Sequence, residues 1–211
     1  MARTPPPNLE PALTAGLKAL GLPLDAVQRL LAFQTELEKW NFTYNLTAIR
    51  DPKEMVTRHL LDSLALRPLL AGRVLDVGAG AGLPCIPLAI VAPELHLTGL
   101  DSNGKKARFM RHVQRTLNLA NFEVIEGRVE DLPAGVGYNT ITSRAFASLA
   151  DFFTLTRHLL TADGIWVAMK GKLDAQEQAG IPQDVEIVEV RALRVPGLNE
   201  ARHAVIARVK K

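Results

Sequence analysis

Two aspartates and three glycines in this chain have the types and spacing to do chemistry together. Asp76 closes the run Arg73-Val74-Leu75-Asp76, and Gly78, Gly80 and Gly82 follow at alternate positions. Asp101 lies 23 positions beyond Gly78. Glycines so placed remove side chains from a turn and permit positive φ, so backbone can approach a ligand closely. A carboxylate about 20 residues past such a turn can accept both hydroxyls of an adenosine ribose. Asp76 stands where a carboxylate can meet an ammonium group, directly or through water. S-adenosylmethionine carries that ammonium and NAD does not. The G-x-G-x-G spacing, with Leu83 next, also departs from the dinucleotide fingerprint G-x-G-x-x-G. Two bland readings compete: a tight turn with no ligand, and Asp101 as a helix cap. Ser102 can cap the next helix or touch the same ribose.

Two later turns complete a candidate site. Gly127-Arg128-Val129-Glu130-Asp131 follows the third strand, beside the place where an adenine would lie. Val129 can pack on the ring, and Glu130 or a backbone group can accept from its amine; the alternative is a solvated acidic turn. Ser143-Arg144-Ala145-Phe146 follows the fourth strand, whose tip faces both ligands in a sheet of this kind. That tip holds neither Asn-Pro-Pro-Tyr nor a cysteine nucleophile, and Cys85 is elsewhere. Arg144 therefore stands as the catalytic candidate. An arginine cannot serve as a base at physiological pH, which favours an acceptor with no proton to lose. Guanine N7 is such an acceptor. Arg144 can donate to guanine O6, to a phosphate or to a carboxylate of the cofactor; a salt bridge to Asp101 or Glu130 is the structural alternative.

The segment 101–118 concentrates charge. It holds Lys105, Lys106, Arg108, Arg111 and Arg115 against one acid, Asp101, a surplus larger than the whole chain's +3. Phe109, Val113 and Leu117 recur at helical spacing, and Lys105, Arg108, His112 and Arg115 fall on another side. Such a stripe is either a solvated face or a row of phosphate contacts. Upstream, Trp40-Asn41-Phe42-Thr43-Tyr44-Asn45-Leu46-Thr47 interleaves aromatics with amides and hydroxyls. It reads equally as a helix end packed on the core or as a loop facing substrate through Asn45.

Elements that would position these residues follow from periodicity and punctuation. Residues 11–21 predict a short amphipathic helix ending at Gly21. Asp25 is placed to cap a second helix with Leu30, Leu31, Leu37 and Trp40 on one side. Asp51-Pro52 opens a third, which carries Arg58, His59 and Asp62 among its leucines. From residue 73 strands are expected at 73–78, 95–101, 122–126, 138–143 and 164–170, with helices at 84–91, 103–118 and 147–160. That alternation predicts a parallel sheet with right-handed crossovers. A polar helical stretch is expected after Gly171-Lys172. Val185–Val190 and Ala204–Val209 then read as a closing antiparallel pair. The expectation is an α/β fold of seven strands, mostly parallel with a terminal antiparallel hairpin. Residues 1–50 form an N-terminal helical extension and 51–211 one compact domain.

Composition bounds the rest. The chain has 211 residues, 47% hydrophobic and 22% charged, which suits one α/β domain with a small addition. A pI of about 9.2 permits nucleic acid as a partner without requiring it. One cysteine and five histidines give neither a disulfide nor metal-ligand spacing, and fit a reducing compartment. The proline-rich start has no apolar core for a signal peptide, and Leu83–Pro93 is too short to span a membrane. A cytoplasmic, monomeric protein with neither membrane nor metal is expected. An NAD-dependent oxidoreductase and a non-catalytic RNA-binding protein are the readings from other classes. The glycine spacing and the closing hairpin count against the first, and the two aspartates against the second.

Taken together, Tyr44-Asn45-Leu46-Thr47, Arg58-His59-Leu60-Leu61-Asp62-Ser63, Asp76 to Pro84, Asp101-Ser102, Arg128-Val129-Glu130 and Ser143-Arg144-Ala145-Phe146 resemble the bacterial small-subunit ribosomal RNA guanine-N7 methyltransferases, the glucose-inhibited division protein B family. The resemblance covers nearly all of the chain after residue 20. It implies a Rossmann-like class I methyltransferase fold, S-adenosylmethionine as methyl donor and a guanine of 16S ribosomal RNA, free or in the small ribosomal subunit, as acceptor. It places the cofactor at Gly78, Leu83, Val129, Glu130 and Arg144, in the company of Asp76, Gly80, Asp101 and Ser102. Candidate RNA contacts are Asn45, Lys105, Arg108, Arg115, Arg128 and Arg202. Two positions depart from the family pattern: Cys85 stands where Gly is usual, and Glu200-Ala201-Arg202-His203 replaces Gly-Glu-Arg-His. The alternative within this class is a methyltransferase acting on another RNA or on a small molecule.

Overall fold

Alternation of buried side chains on the strands sets the layers. On β1 (Arg73–Val77) Val74 points to one face and Leu75 and Val77 to the other; on β5 (Leu160–Lys170) Val167 and Met169 oppose Trp166 and Ala168. Period-two patterning of this kind buries both faces of a sheet. The structure is a computed structural model describing residues 8–144, 146, 148–171 and 180–210. The polar helical stretch expected after Lys172 lies outside the described residues.

The other strands are β2 (His96–Asp101), β3 (Phe122–Glu126), β4 (Tyr138–Ser143), β6 (Val185–Ala192) and β7 (His203–Val209). Their order across the sheet is β3-β2-β1-β4-β5-β7-β6. The first five pair in parallel, while β7 runs antiparallel to both β5 and β6. The expected mostly parallel sheet with a closing hairpin is what forms. Strand order reverses between β1 and β4, and such a switch point is where open α/β sheets take ligands.

Helices cover the faces. α1 (Glu10–Leu20), α2 (Val27–Tyr44), α5 (Cys85–Val91) and α6 (Gly104–Thr116) pack on the Val74 side, where Leu13, Leu30, Phe33, Ile86 and Phe109 share one core. α7 (Leu149–Thr156) covers the other side through Phe152 and Phe153. Between them, α3 (Pro52–Met55) continues as a π-helix over Val56–Leu61 and ends in α4 (Asp62–Leu64). Asp51 caps this run by accepting from Lys53 N–H at 2.9 Å, as its place before Pro52 predicts. α1 ends at Gly21 with φ 67°, the left-handed residue expected there.

Two expected caps are corrected. Asp25 makes no side-chain cap; it falls inside a 3₁₀ turn, Leu24–Ala26, which leads into α2 without a side-chain acceptor. Ser102 does not cap α6 either. Asn103 does, accepting from Lys105 N–H at 3.0 Å, because the chain needs one more residue to leave β2 before it can turn.

Candidate cofactor and acceptor site

The carboxyl ends of β1, β2 and β3 frame a cavity of about 410 Å³, large enough for a small ligand. Val77, Gly78, Asp101, Ser102, Arg128, Val129 and Glu130 border it, with Phe146, Asp151 and Leu155 closing the far wall. The glycine turn takes the expected form. Gly78, Gly80 and Gly82 have φ of 72°, 59° and 76°, a region that residues with a Cβ rarely enter. A Cβ on Gly82 would meet the Ile86 side chain, whereas one on Gly80 would find open space out to 3.9 Å. Gly82 thus serves turn-to-helix packing, while the space at Gly80 lies between Gly78 O and the Lys106 ammonium.

Asp101 ties this turn to β2. Its Oδ2 accepts from Gly80 N–H at 2.8 Å and its Oδ1 from Asn103 N–H at 2.9 Å. A carboxylate offers about four acceptor positions, so Asp101 keeps capacity toward the cavity it borders. Lys106 reaches back to Asp101 Oδ2 at 3.8 Å and lies beside Gly80. In the sequence Lys106 is only one more charge in a basic helix.

Asp76 sits behind the turn, 1% exposed, on the α5 side of the sheet. Its Oδ2 accepts from Cys85 N–H at 3.3 Å, and its Oδ1 has no partner among the described residues. Burial pushes its carboxyl up to about 7; hydrogen bonding to Cys85 and the charge of Arg144 pull the other way. An orphaned buried oxygen of this kind retains an acceptor for a cation. Leu83 is half-buried in the turn, and neither it, Asp76, Gly80 nor Arg144 borders the cavity.

Arg144, at the tip of β4, departs from both expected ion pairs. It pairs with neither Asp101 nor Glu130. Its Nη2 lies 3.3 Å from Asp62 Oδ2, and its Nη1 donates to Ser63 Oγ at 3.4 Å. Arg202 donates from Nε to the other oxygen of Asp62 at 3.1 Å and from Nη2 to Glu200 at 3.2 Å. Arg58 closes the ring through a two-pronged pair with Glu200. Burial raises the Asp62 carboxyl above its usual range, opposed by the charges of Arg144 and Arg202. Next to it His59 is buried, and desolvation with the charge of Arg144 pushes its pKa down to about 4. His59 Nε2 meets Thr47 Oγ1 at 2.9 Å and its Nδ1 meets Arg58 O at 3.2 Å.

The remaining expected contacts divide. Lys105, Arg108 and Arg115 are exposed on α6 and form no ion pair among the described residues. His112 leaves that stripe: it bonds Glu36 at 2.7 Å and packs on Trp40, holding α6 against α2. Arg128 lies on the cavity wall with Val129 and Glu130. Asn45 is the left-handed C-cap of α2, with φ 50°, and accepts from Arg50. The Trp40–Thr47 stretch is therefore mostly helix end, with Trp40 packed on Phe109 and Phe42 left 87% exposed. Sequence reasoning missed Asp151 and Leu155 on the cavity wall and the partnership of Asp62 with Arg202. The Ser148–Asp151 cap, in which Ser148 Oγ accepts from Asp151 N–H at 3.1 Å, was the available signal for the first.

Comparison with known proteins bears on the fold and the family. Solved structures show the fold: TrmN from Thermus thermophilus superposes with a TM-score of 0.56 at 16% identity, over 73% of this chain and 53% of that one. The glycopeptide N-methyltransferase MtfA gives 0.58 at 10% identity, over 74% and 96%. Among curated proteins, Ribosomal RNA small subunit methyltransferase G of Stutzerimonas stutzeri is 50% identical over 201 residues, 93% of this chain and 94% of its own. The protein of the same name from Chromohalobacter salexigens is 50% identical over 208 residues, covering 97% and 99%. A family model described as rRNA small subunit methyltransferase G matches residues 26–206, and the chain belongs to that family.

Proposed function

We propose that this protein transfers a methyl group from S-adenosylmethionine to N7 of a guanine in 16S ribosomal RNA. When bound, the donor supplies an electrophilic methyl on a sulfonium. The residues fit it: a glycine turn whose Gly78 borders the cavity, a carboxylate with spare acceptors at Asp101, and the orphaned oxygen of Asp76. Asp101 would take the ribose, Val129 and Glu130 the adenine, and Asp76 the ammonium. Gly78, Leu83 and Ser102 would line the donor between these anchors.

The observation that carries the N7 reading is that the titratable groups touching Arg144 are already engaged, while Asp76, which feels its charge, would be taken up by the donor's ammonium. His59 is neutral with both ring nitrogens engaged, and Asp62 is held by two guanidiniums. An acceptor requiring deprotonation would find no partner in either of these, whereas a purine N7 needs none. Rate would come from alignment and exclusion of water, with Arg144 aiming donors at guanine O6 or at the donor's carboxylate. Lys105, Arg108 and Arg115 would meet phosphates, with Asn45, Arg128 and Arg202 nearer the reacting base. The protein would act as a monomer in the cytoplasm, on free 16S RNA or on the small-subunit particle.

A nucleoside digest of 16S RNA from cells with and without the protein tests this. One 7-methylguanosine should disappear in its absence and return when purified protein and S-adenosylmethionine are added. An unchanged digest would refute the substrate assignment.

A further inference from the structure

Asp62 is used by none of the roles above, yet its placement is costly. It is 1% exposed, and a buried ion pair is seldom more stable than well-packed hydrophobic residues. It opens α4 at the end of the π-helical run Val56–Leu61, and π-segments are rare and concentrate at functional sites. Its two oxygens hold guanidiniums from distant parts of the chain: Arg202, 140 positions on, and Arg144 at the tip of β4.

The two arginines do not depend on Asp62 equally. Arg202 is also held by Glu200, which Arg58 grips in turn from the π-helix. Arg144 has only the Ser63 hydroxyl besides Asp62 among the described residues, at 3.4 Å. Ser63 Oγ donates its own proton to His59 O, so its lone pairs are what face Arg144. Asp62 and Ser63 thus seat the guanidinium by its two terminal nitrogens. A planar fork held at two points has a fixed direction, which a single contact cannot give.

We propose that Asp62 is a positioning residue for methyl transfer, acting through Arg144 by fixing the plane in which its guanidinium meets the acceptor base. The inference rests on the reading of Arg144 as the acceptor-side donor. Ser63 assists, and the Arg58–Glu200–Arg202 ring holds the π-helix and the approach to β7 in register beside them.

The test is a double-mutant cycle in the full-length protein with Asp62→Asn, Arg144→Lys and both together. Donor affinity is read by calorimetry, 16S RNA affinity by filter binding, and methyl transfer in single turnovers at saturating donor and RNA. Asp62→Asn should slow transfer by about 10–100-fold, the scale of a misplaced catalytic group. Donor and RNA affinities should stay within about twofold of the parent, and adding the change to Arg144→Lys should cost less than about a further twofold. Multiplicative losses in the double variant would overturn the proposal, as would an unchanged single-turnover rate in Asp62→Asn. Should Asp62→Asn not fold, Asp62→Glu keeps the charge but displaces it, and the same cycle applies. The Arg144 side-chain N–H resonance, read by ¹⁵N NMR in ligand-free protein, separates the two readings. If it shifts on Asp62→Asn while the parent fails to methylate 16S RNA, the substrate assignment fails and the seat stands. If it does not shift, the seat fails.

Discussion

Asp76 and Asp101 lie at the carboxyl ends of neighbouring strands, one residue before the end of β1 and at the end of β2, but their surroundings set them different tasks. Asp101 accepts two backbone N–H groups and borders open space. Asp76 accepts one and is sealed in, so its carboxyl lies near 7. Ionised Asp76 is the form that would pair with an ammonium, and a free α-amino group titrates at about 7.7–8.0. Donor affinity should therefore rise with pH through about 7 and fall again above about 8. Calorimetry across that range checks this, and Asp76→Asn should flatten the acid limb; a limb that survives would exonerate Asp76. The chemical step should behave differently. At saturating donor, single-turnover transfer should be nearly flat from about pH 6 to 9, since N7 loses no proton. Arg144→Lys should lose most activity with its charge intact. Asp101→Ala should weaken donor binding by on the order of 1.5–3 kcal/mol, the range for hydrogen bonds to a charged group; an unchanged affinity would leave Asp101 as a fastening for Gly80 alone. The aspartates, glycines and Arg144 were legible because their types and spacing are local. Asp62 was visible as a residue but not as a partner, since the arginines it holds come from β4 and from the approach to β7.

At the scale of elements, the sequence placed all seven strands and most helices, because period-two and period-3.6 patterning is written in neighbouring residues. It missed by a residue at helix starts, where Asn103 and not Ser102 serves as cap. It also missed the π-helix, whose residues pattern like any α-helix and whose hydrogen bonding is set by what packs around it. The basic face of α6 was read as one stripe, but a stripe is defined by what its neighbours leave open. His112 docks on α2 while Lys105, Arg108 and Arg115 remain in solvent. Replacing those three by Ala should lower the slope of log affinity for RNA against log salt by about 0.7–0.9 per lost phosphate contact. A slope that does not move would make them a solvated face. The turn permits a sharper test. Gly82→Ala puts a Cβ into Ile86 at φ 76°, which should cost on the order of 1–3 kcal/mol in urea unfolding.

Buried groups give the whole molecule opposed responses to acid, His59 on one side and Asp76, joined by the raised carboxyl of Asp62, on the other. His59 is held neutral down to about 4, so its contribution is complete above the unfolded value of about 6.5 and is lost as pH falls toward 4. Asp76 runs the other way. Its folded value near 7 lies above the unfolded 3.8, so stability is greatest at low pH and declines as pH rises through 7. Between about pH 4 and 6.5 the two slopes oppose each other, and urea midpoints should vary little there. His59→Gln should uncover a decline with rising pH, and Asp76→Asn a rise. Parallel slopes in the two variants would contradict this pairing. Glu36 and Glu94, whose hydrogen bonds keep them below the usual 4.5, add a loss of stability only under that value.

Cys85 lies at the head of α5, with no exposed surface and its Sγ facing Asp76 and Gly99. Burial and the neighbouring carboxylate hold its thiol well above the ordinary range, and only a thiolate attacks an alkylating reagent. Because this is the chain's single cysteine, every covalent label counts one event: the lifting of α5 and the glycine turn off the sheet. The protein thus carries its own clock for opening at the donor site. Iodoacetamide should mark it slowly in native buffer and at once in denaturant. Donor at one hundred times its dissociation constant should slow the labelling by about a hundredfold when opening and binding exclude each other.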